Sequence, residues 1–409
     1  MEENITCITC KHVALPGGVT SDETTHIIIE DGIITGLFNQ ETDMVKMAKH
    51  HYAADIVLPG FVDIHNHGMG GAEDLVNFWQ NAEYTQQRLP KYGVTSFLAT
   101  LVFPETCFTD GTMETIQFVE SIVGDSSRGA VCQGVHAEGP IVNDLGGLPK
   151  GNNQMSMTEF NQLLDSMPSC KLMTISPHID VQSGYEKINA LVQRGIVPSL
   201  GHDRVASEAE ILGALQAAHP TQCHVTHLFN VTNFHHRTPS LVNFGLVDVF
   251  PNIPGYERLA PPTVEIIGDM CHVHPLTVGI LLKARCFNQI AFISDCTAES
   301  VPGKKLSYSG RTMEVSADGK CLFVSGTCTL AGSCCTSHDA FKSLVNIFHI
   351  SIGEASAMVS ETPARIAHLK NVGKVDIGYR ADLLLMDESL NLKQTFIAGK
   401  KCFDFDSDS

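Results

Sequence analysis

The segment Asp63-Ile-His65-Asn-His67 closes an apolar run that begins before Leu58-Pro-Gly-Phe. On a strand, residues two apart project to the same side, so the two imidazoles form a ready pair of divalent-metal ligands. Taken alone, His-x-His also fits two polar residues at a strand terminus. Four further residues of ligand type stand where other apolar runs stop: Glu138 after Gly134-Val-His-Ala, His202 after Ser199-Leu-Gly, His227 after His224-Val-Thr, and Asp295 after Ala291-Phe-Ile-Ser. Histidine, glutamate and aspartate at five strand ends make a metal-ligand set. A metal held by such a set activates water and polarises a carbonyl.

These residues need a scaffold that brings strand ends together. Short Val-, Ile- and Phe-rich runs recur at Ile56–Ile64, Val94–Val102, Ala130–Ala137, Leu172–Ser176, Ile196–Leu200, Gln222–His227, Val264–Gly268 and Ile290–Ser294. A segment with helical spacing follows each run. Eight such units predict an α/β fold, a (β/α)₈ barrel whose site lies at the C-terminal strand ends, although an open doubly wound sheet shares the same local grammar. The two chain ends differ. His26–Asp31 with Ile33–Ile34, and Ala381–Met386, Gln394–Ala398 and Lys400–Phe403 near the other end, read as antiparallel strands, and Ile5–Val13 as an edge strand. Residues 1–55 and 371–403 are therefore expected to form one small β-sandwich domain, 56–370 the barrel, and 404–409 a disordered acidic tail.

The 409 residues carry 27 basic and 45 acidic side chains, a formal charge of −18. That balance offers no broad positive face to nucleic acid or anionic lipid, so any phosphate must be held locally. Met1–His12 lacks the pattern of a secretory signal, and no apolar stretch approaches a membrane span, which predicts a soluble, cytoplasmic protein. The 14 cysteines, among them Cys132, Cys223, Cys286 and Cys321, are scattered and read as reduced core thiols. Cys7-x-x-Cys10 has no second pair to complete a zinc site, and Cys334-Cys335 reads as a turn entering a helix.

Across nearly the whole chain, several segments resemble the amidohydrolase superfamily: Pro59-Gly-Phe-Val-Asp-Ile-His65-Asn-His67, His136-Ala-Glu138-Gly-Pro140, Ser199-Leu-Gly-His202, Thr226-His227-Leu-Phe-Asn230, Asp269-Met-Cys-His272, Ser294-Asp295 and Leu330-Ala-Gly-Ser333. More narrowly they resemble the N-acetylglucosamine-6-phosphate deacetylases, with Glu-Gly-Pro and Thr-His-Leu-Phe-Asn the most specific segments. The C-terminal Gly378-Tyr-Arg-Ala-Asp-Leu-Leu-Leu-Met-Asp387 supports only the superfamily. The resemblance implies that Glu138, His202 and His227 bind the principal divalent ion (Zn, Fe, Mn, Co or Ni), and that His65 and His67 can hold a second, giving one or two per chain. It implies that Asp295 is a metal ligand and the catalytic acid/base. Asn230, Val231, Arg237, Asp269, His272 and Leu330 match positions that touch the sugar phosphate or the acetamide. It also implies a homodimer, in which the arginine matching Arg237 can reach the neighbouring site.

The expected reaction is metal-dependent deacetylation of N-acetylglucosamine 6-phosphate to acetate and glucosamine 6-phosphate, a step of amino-sugar catabolism. Two departures bear on the sugar. Pro149-Lys-Gly-Asn152-Asn153 stands where related deacetylases have Lys-Gly-x-His, and Gly268-Asp269-Met-Cys-His272 where they have Ala-Asp-Gly-x-His. The fourth run ends Thr174-Ile-Ser-Pro177 with no lysine to bridge two metals, which leaves Glu138 to supply the shared carboxylate. A galactosamine-specific deacetylase, a deaminase or dipeptidase on the same barrel, and a non-catalytic scaffold are the competing readings. For Asp295 a purely structural ligand role competes with proton transfer.

Overall fold

Eight parallel strands form the central layer of a computed structural model that describes residues 5–70, 79, 81–308 and 311–408. They are β1 (Phe61–Asn66), β2 (Val94–Val102), β3 (Val131–Glu138), β4 (Cys170–Ile175), β5 (Val197–Leu200), β6 (His224–Val225), β7 (Thr263–Ile267) and β8 (Ile290–Ile293), each hydrogen-bonded to the next. The chain beyond β8 closes the barrel onto β1: the Asp295 N–H donates to the His65 carbonyl at 3.0 Å and the His67 N–H to that of Cys296 at 2.9 Å. Strands covered on both faces are largely apolar, and every residue of β2 except Val102 is buried. Surrounding helices begin at capping boxes, Ser156 with Glu159, Ser207 with Glu210 and Thr336 with Asp339, which satisfy donors that a helix start leaves open.

The run Ile56–Ile64, expected as one barrel strand, is divided at Gly60. Residues His50–Pro59 belong to the terminal sheet and Phe61–Asn66 to the barrel. A Cβ at Gly60 would lie 2.1 Å from Thr95 Oγ1, so only glycine lets the chain pass β2 at this joint.

The chain ends pair as one mixed sheet, in the order Lys400–Asp404, Leu392–Ile397, Leu383–Met386, His50–Pro59, Thr6–Leu15, Thr25–Glu30 and Ile33–Phe38, with Val19–Ser21 on Thr6–Leu15. Thr6–Leu15 is an interior strand and not the expected edge, because Cys7 and Ile28 pack on one face of the sheet while Ile8, Cys10 and Val13 pack on the other. Phe405–Asp408 forms a helical turn in place of the disordered tail. Residues 1–4 and 409, the outer ends of the expected β domain and tail, lie outside the described residues.

One element has no counterpart among the expected ones. After β8, four antiparallel strands, Lys305–Tyr308, Arg311–Val315, Cys321–Val324 and Leu330–Ser333, form a flap over the barrel mouth. A Cys271–Cys321 disulfide ties it to the loop after β7, which corrects the reading of Cys321 as a reduced core thiol. The partners are 50 residues apart, and spacing alone did not mark them. Cys7 and Cys10 are buried and free. Among the described residues no helix is long and apolar enough to cross a membrane.

Candidate active site

At three strand ends the backbone turns through the left-handed region on residues other than glycine. His202 has φ of 51°, His227 of 25° and Asp295 of 48°. Such conformations cost on the order of 1–3 kcal/mol each and persist only where surrounding structure enforces them. Here each turn ends a barrel strand. Asn66 and Asp63 support the neighbouring segment: the Asn66 amide donates to Asp63 Oδ2 at 2.9 Å, and the Ser294 N–H donates to Asp63 Oδ1 at 3.2 Å.

His65, His67, Glu138, His202, His227 and Asp295 converge, and none is more than 9% exposed. Glu138 Oε1 lies 3.0 Å from Nε2 of both His202 and His227, and Oε2 lies 3.3 Å from His67 Nε2. Asp295 Oδ1 is 3.2 Å from His67 Nε2 and 3.4 Å from His65 Nε2. Two ligand sets result, Glu138 with His202 and His227, and His65 with His67 and Asp295.

The donor chemistry fits a divalent cation. His202 Nδ1 sits 2.7 Å from the Asp144 carbonyl, which can only accept, so the proton is on Nδ1 and the neutral ring turns a bare Nε2 inward. His65 is oriented the same way, since its Nδ1 donates to Glu265 Oε1 at 2.6 Å. The inward Nε2 atoms of His202 and His227 stand 3.1 Å apart, and His65 Nε2 and Glu138 Oε2 are buried without a hydrogen-bond partner. Lone pairs facing lone pairs in a buried site call for a cation between them.

Burial opposes charge on Glu138, but the imidazoles of His65, His202 and His227 around it hold its carboxyl well below the usual range. Burial likewise disfavours His67 as a cation, yet Asp295 and Glu138 raise it to about 9. Asp295, pushed up by burial, is brought down below its usual value by His65 and His67.

Glu265 is a residue that sequence reasoning missed. It is wholly buried on β7, accepts from His65 Nδ1, from His224 Nε2 at 3.1 Å and from the His227 N–H at 3.2 Å, and so supports both ligand sets at once. A carboxylate in the middle of the apolar run Thr263–Ile267 is the signal that could have found it. Beneath the site His136 is held down to about 3 by burial and by its neighbour His65, so it is neutral, bonded to the Ile64 carbonyl and Thr174 hydroxyl.

Above the ligands opens a cavity of about 400 Å³, within the range of small-molecule sites. Asn230, Val231, His272 and Leu330 line it, with Gly146, Gly147, Leu148 and Arg204 on the facing loops. Asp269 and Arg237 do not. Asp269 is buried behind the wall, where its Oδ2 accepts from His272 Nδ1 at 2.6 Å and raises that histidine against the effect of burial. Arg237 is exposed and absent from the lining; its N–H donates to His235 Nδ1 at 3.3 Å. Asn152 and Asn153 do not line the cavity either, and the Asn153 amide donates to the Val142 carbonyl.

The sequence profile of the amidohydrolase family matches residues 56–402. The chain is 26% identical over 386 residues to an N-acetylglucosamine-6-phosphate deacetylase of Bacillus subtilis, covering 92% of both chains. It is 28% identical to the human protein of the same name, covering 86% of this chain and 84% of that one. Among solved structures, the N-acetylglucosamine-6-phosphate deacetylase of Thermotoga maritima superposes with a TM-score of 0.76 at 25% identity, over 96% of this chain and 98% of the other.

Proposed function

The chain belongs to the amidohydrolase family, and from that premise we infer that it is an N-acetylglucosamine-6-phosphate deacetylase, which releases acetate and glucosamine 6-phosphate. The observation that carries this reading is the convergence of two ligand sets at the floor of a cavity whose walls hold Asn230, Val231, His272 and Leu330.

Glu138, His202 and His227 would hold the principal ion, with His65, His67 and Asp295 around a second. A divalent ion bound there supplies water activation and polarisation of the acetyl carbonyl. Asp295 takes the proton from the attacking water and returns it to the nitrogen, because an amine leaves poorly unless protonated. Its backbone is fixed on both sides, N–H to the His65 carbonyl and carbonyl from the Ser333 N–H at 3.2 Å, so the carboxylate stays aimed at the reacting bond. His272, locked by Asp269, faces the phosphate.

The enzyme is cytoplasmic and homodimeric in this reading. An exposed Arg237 serves the phosphate from a second copy, since it does not line its own cavity. The test is acetate release from N-acetylglucosamine 6-phosphate, its galacto epimer, the unphosphorylated sugar and a dipeptide panel, with bound metal measured on the same protein. Turnover of the sugar phosphate first among these is expected. Turnover of dipeptides alone would overturn the reading.

A further inference from the structure

Among the described residues that line the cavity, one is a lysine or arginine: Arg204. The whole chain carries −18, so a cation placed at the cavity wall favours a dianionic substrate. The other basic residues nearby are committed elsewhere. Lys150 is exposed and paired with Glu105 at 3.1 Å, Arg311 donates to the Gly147 carbonyl at 3.2 Å, and Arg237 lies outside the lining.

Arg204 stands on a rigid base. It follows His202 by two residues, and the intervening Asp203 is buried, accepting from the Ser176 hydroxyl at 2.6 Å and the Ala206 N–H at 2.8 Å. The Arg204 N–H donates to Asp144 Oδ2 at 2.7 Å, and its carbonyl accepts from the Asn233 amide at 3.4 Å, three residues beyond the cavity-lining Asn230. The guanidinium, by contrast, meets Asp144 Oδ1 at 3.6 Å, beyond hydrogen-bond length, with about half of its side chain exposed. An exposed ion pair of that kind contributes little, so exchanging it for a phosphate costs little. A guanidinium presents paired donors matched to phosphate oxygens.

We propose that Arg204 adds a contact to the substrate's phosphate from within the subunit, beside His272 and the arginine of the second copy, and strengthens the enzyme's preference for a phosphorylated sugar. This rests on the sugar-phosphate reading above. Asp144 holds the arginine at the rim in the free enzyme and yields it to the incoming dianion. The same Asp144 carbonyl orients His202, so phosphate recognition and the catalytic floor share one loop.

The test compares kcat/KM on N-acetylglucosamine 6-phosphate and on N-acetylglucosamine for wild type, Arg204→Ala, Arg204→Lys and Arg237→Ala. In Arg204→Ala the ratio of the two values should fall by about ten- to a hundredfold, the range of a charge-assisted hydrogen-bonded pair, with the loss mainly in KM. Arg204→Lys should recover part of it, because a point charge remains without the paired donors. Calorimetric binding of glucosamine 6-phosphate to the metal-loaded protein should weaken by a matching factor. A wild-type preference that survives intact in Arg204→Ala, with the collapse confined to Arg237→Ala, overturns the assignment of Arg204 alone. A wild-type protein that shows no preference for the phosphorylated sugar overturns the reading it rests on as well.

Discussion

Glu265 accepts from two imidazoles and a backbone N–H with one carboxylate, and an amide cannot replace it. The NH₂ of Glu265→Gln would meet the proton of His65 or of His224, turning one ring. Metal affinity should fall by about ten- to a hundredfold, the usual effect of losing such a support. Elemental analysis after dialysis at graded free metal checks this, and undiminished retention would make Glu265 a packing residue only. Asp295→Asn removes the proton acceptor and should lower kcat by about 10²-fold or more while binding survives. If the variant loses metal in step with activity, Asp295 is a ligand first. His272 makes a prediction in pH. Its neighbours are Asp269 and Asp295, and after the opposing effect of burial they raise it above the ordinary histidine value of about 6.5. The substrate phosphate is dianionic above about pH 6. The imidazolium therefore outlasts that ionisation, and KM for the sugar phosphate should stay low while the imidazolium persists and climb as pH passes the raised value. His272→Asn should flatten the alkaline climb; an unchanged profile would mean another group titrates.

At the scale of elements, the eight barrel runs were legible because strands buried on both faces leave largely apolar stretches, and the ligands stood out as polar residues ending them. The joint at Gly60 was not, because Ile56–Ile64 is apolar on both sides of it and the clash with Thr95 exists only after folding. Gly60→Ala should destabilise by about 1–3 kcal/mol, as overpacking does. Pairing it with Thr95→Ala should return much of that loss in a thermal double-mutant cycle, and additive losses would refute the contact. The turns at His202, His227 and Asp295 were hidden for a related reason: no glycine occupies the left-handed position. Glu265 was hidden inside an apolar run. Arg204 was hidden as well, since nothing in its place two residues after His202 marks it as lining the cavity.

At the scale of the whole molecule, the metal-type residues come from five strand ends that meet only in the closed barrel. An ion bound there favours the folded state by about 2.7 kcal/mol when its concentration is a hundred times its dissociation constant. Chelation should therefore lower the melting midpoint and re-addition restore it, and identical melts before and after proven metal loss would place the ion elsewhere. The terminal sheet adds a constraint of timing. His50–Pro59 pairs with Leu383–Met386, so a strand made early in synthesis waits for one made almost last. Throughout translation of the barrel that early strand presents one unpaired edge to other nascent chains. A stop codon placed before Leu383 would leave the edge open permanently, and the expected product is an aggregate even though every metal-type and cavity-lining residue named above has been made.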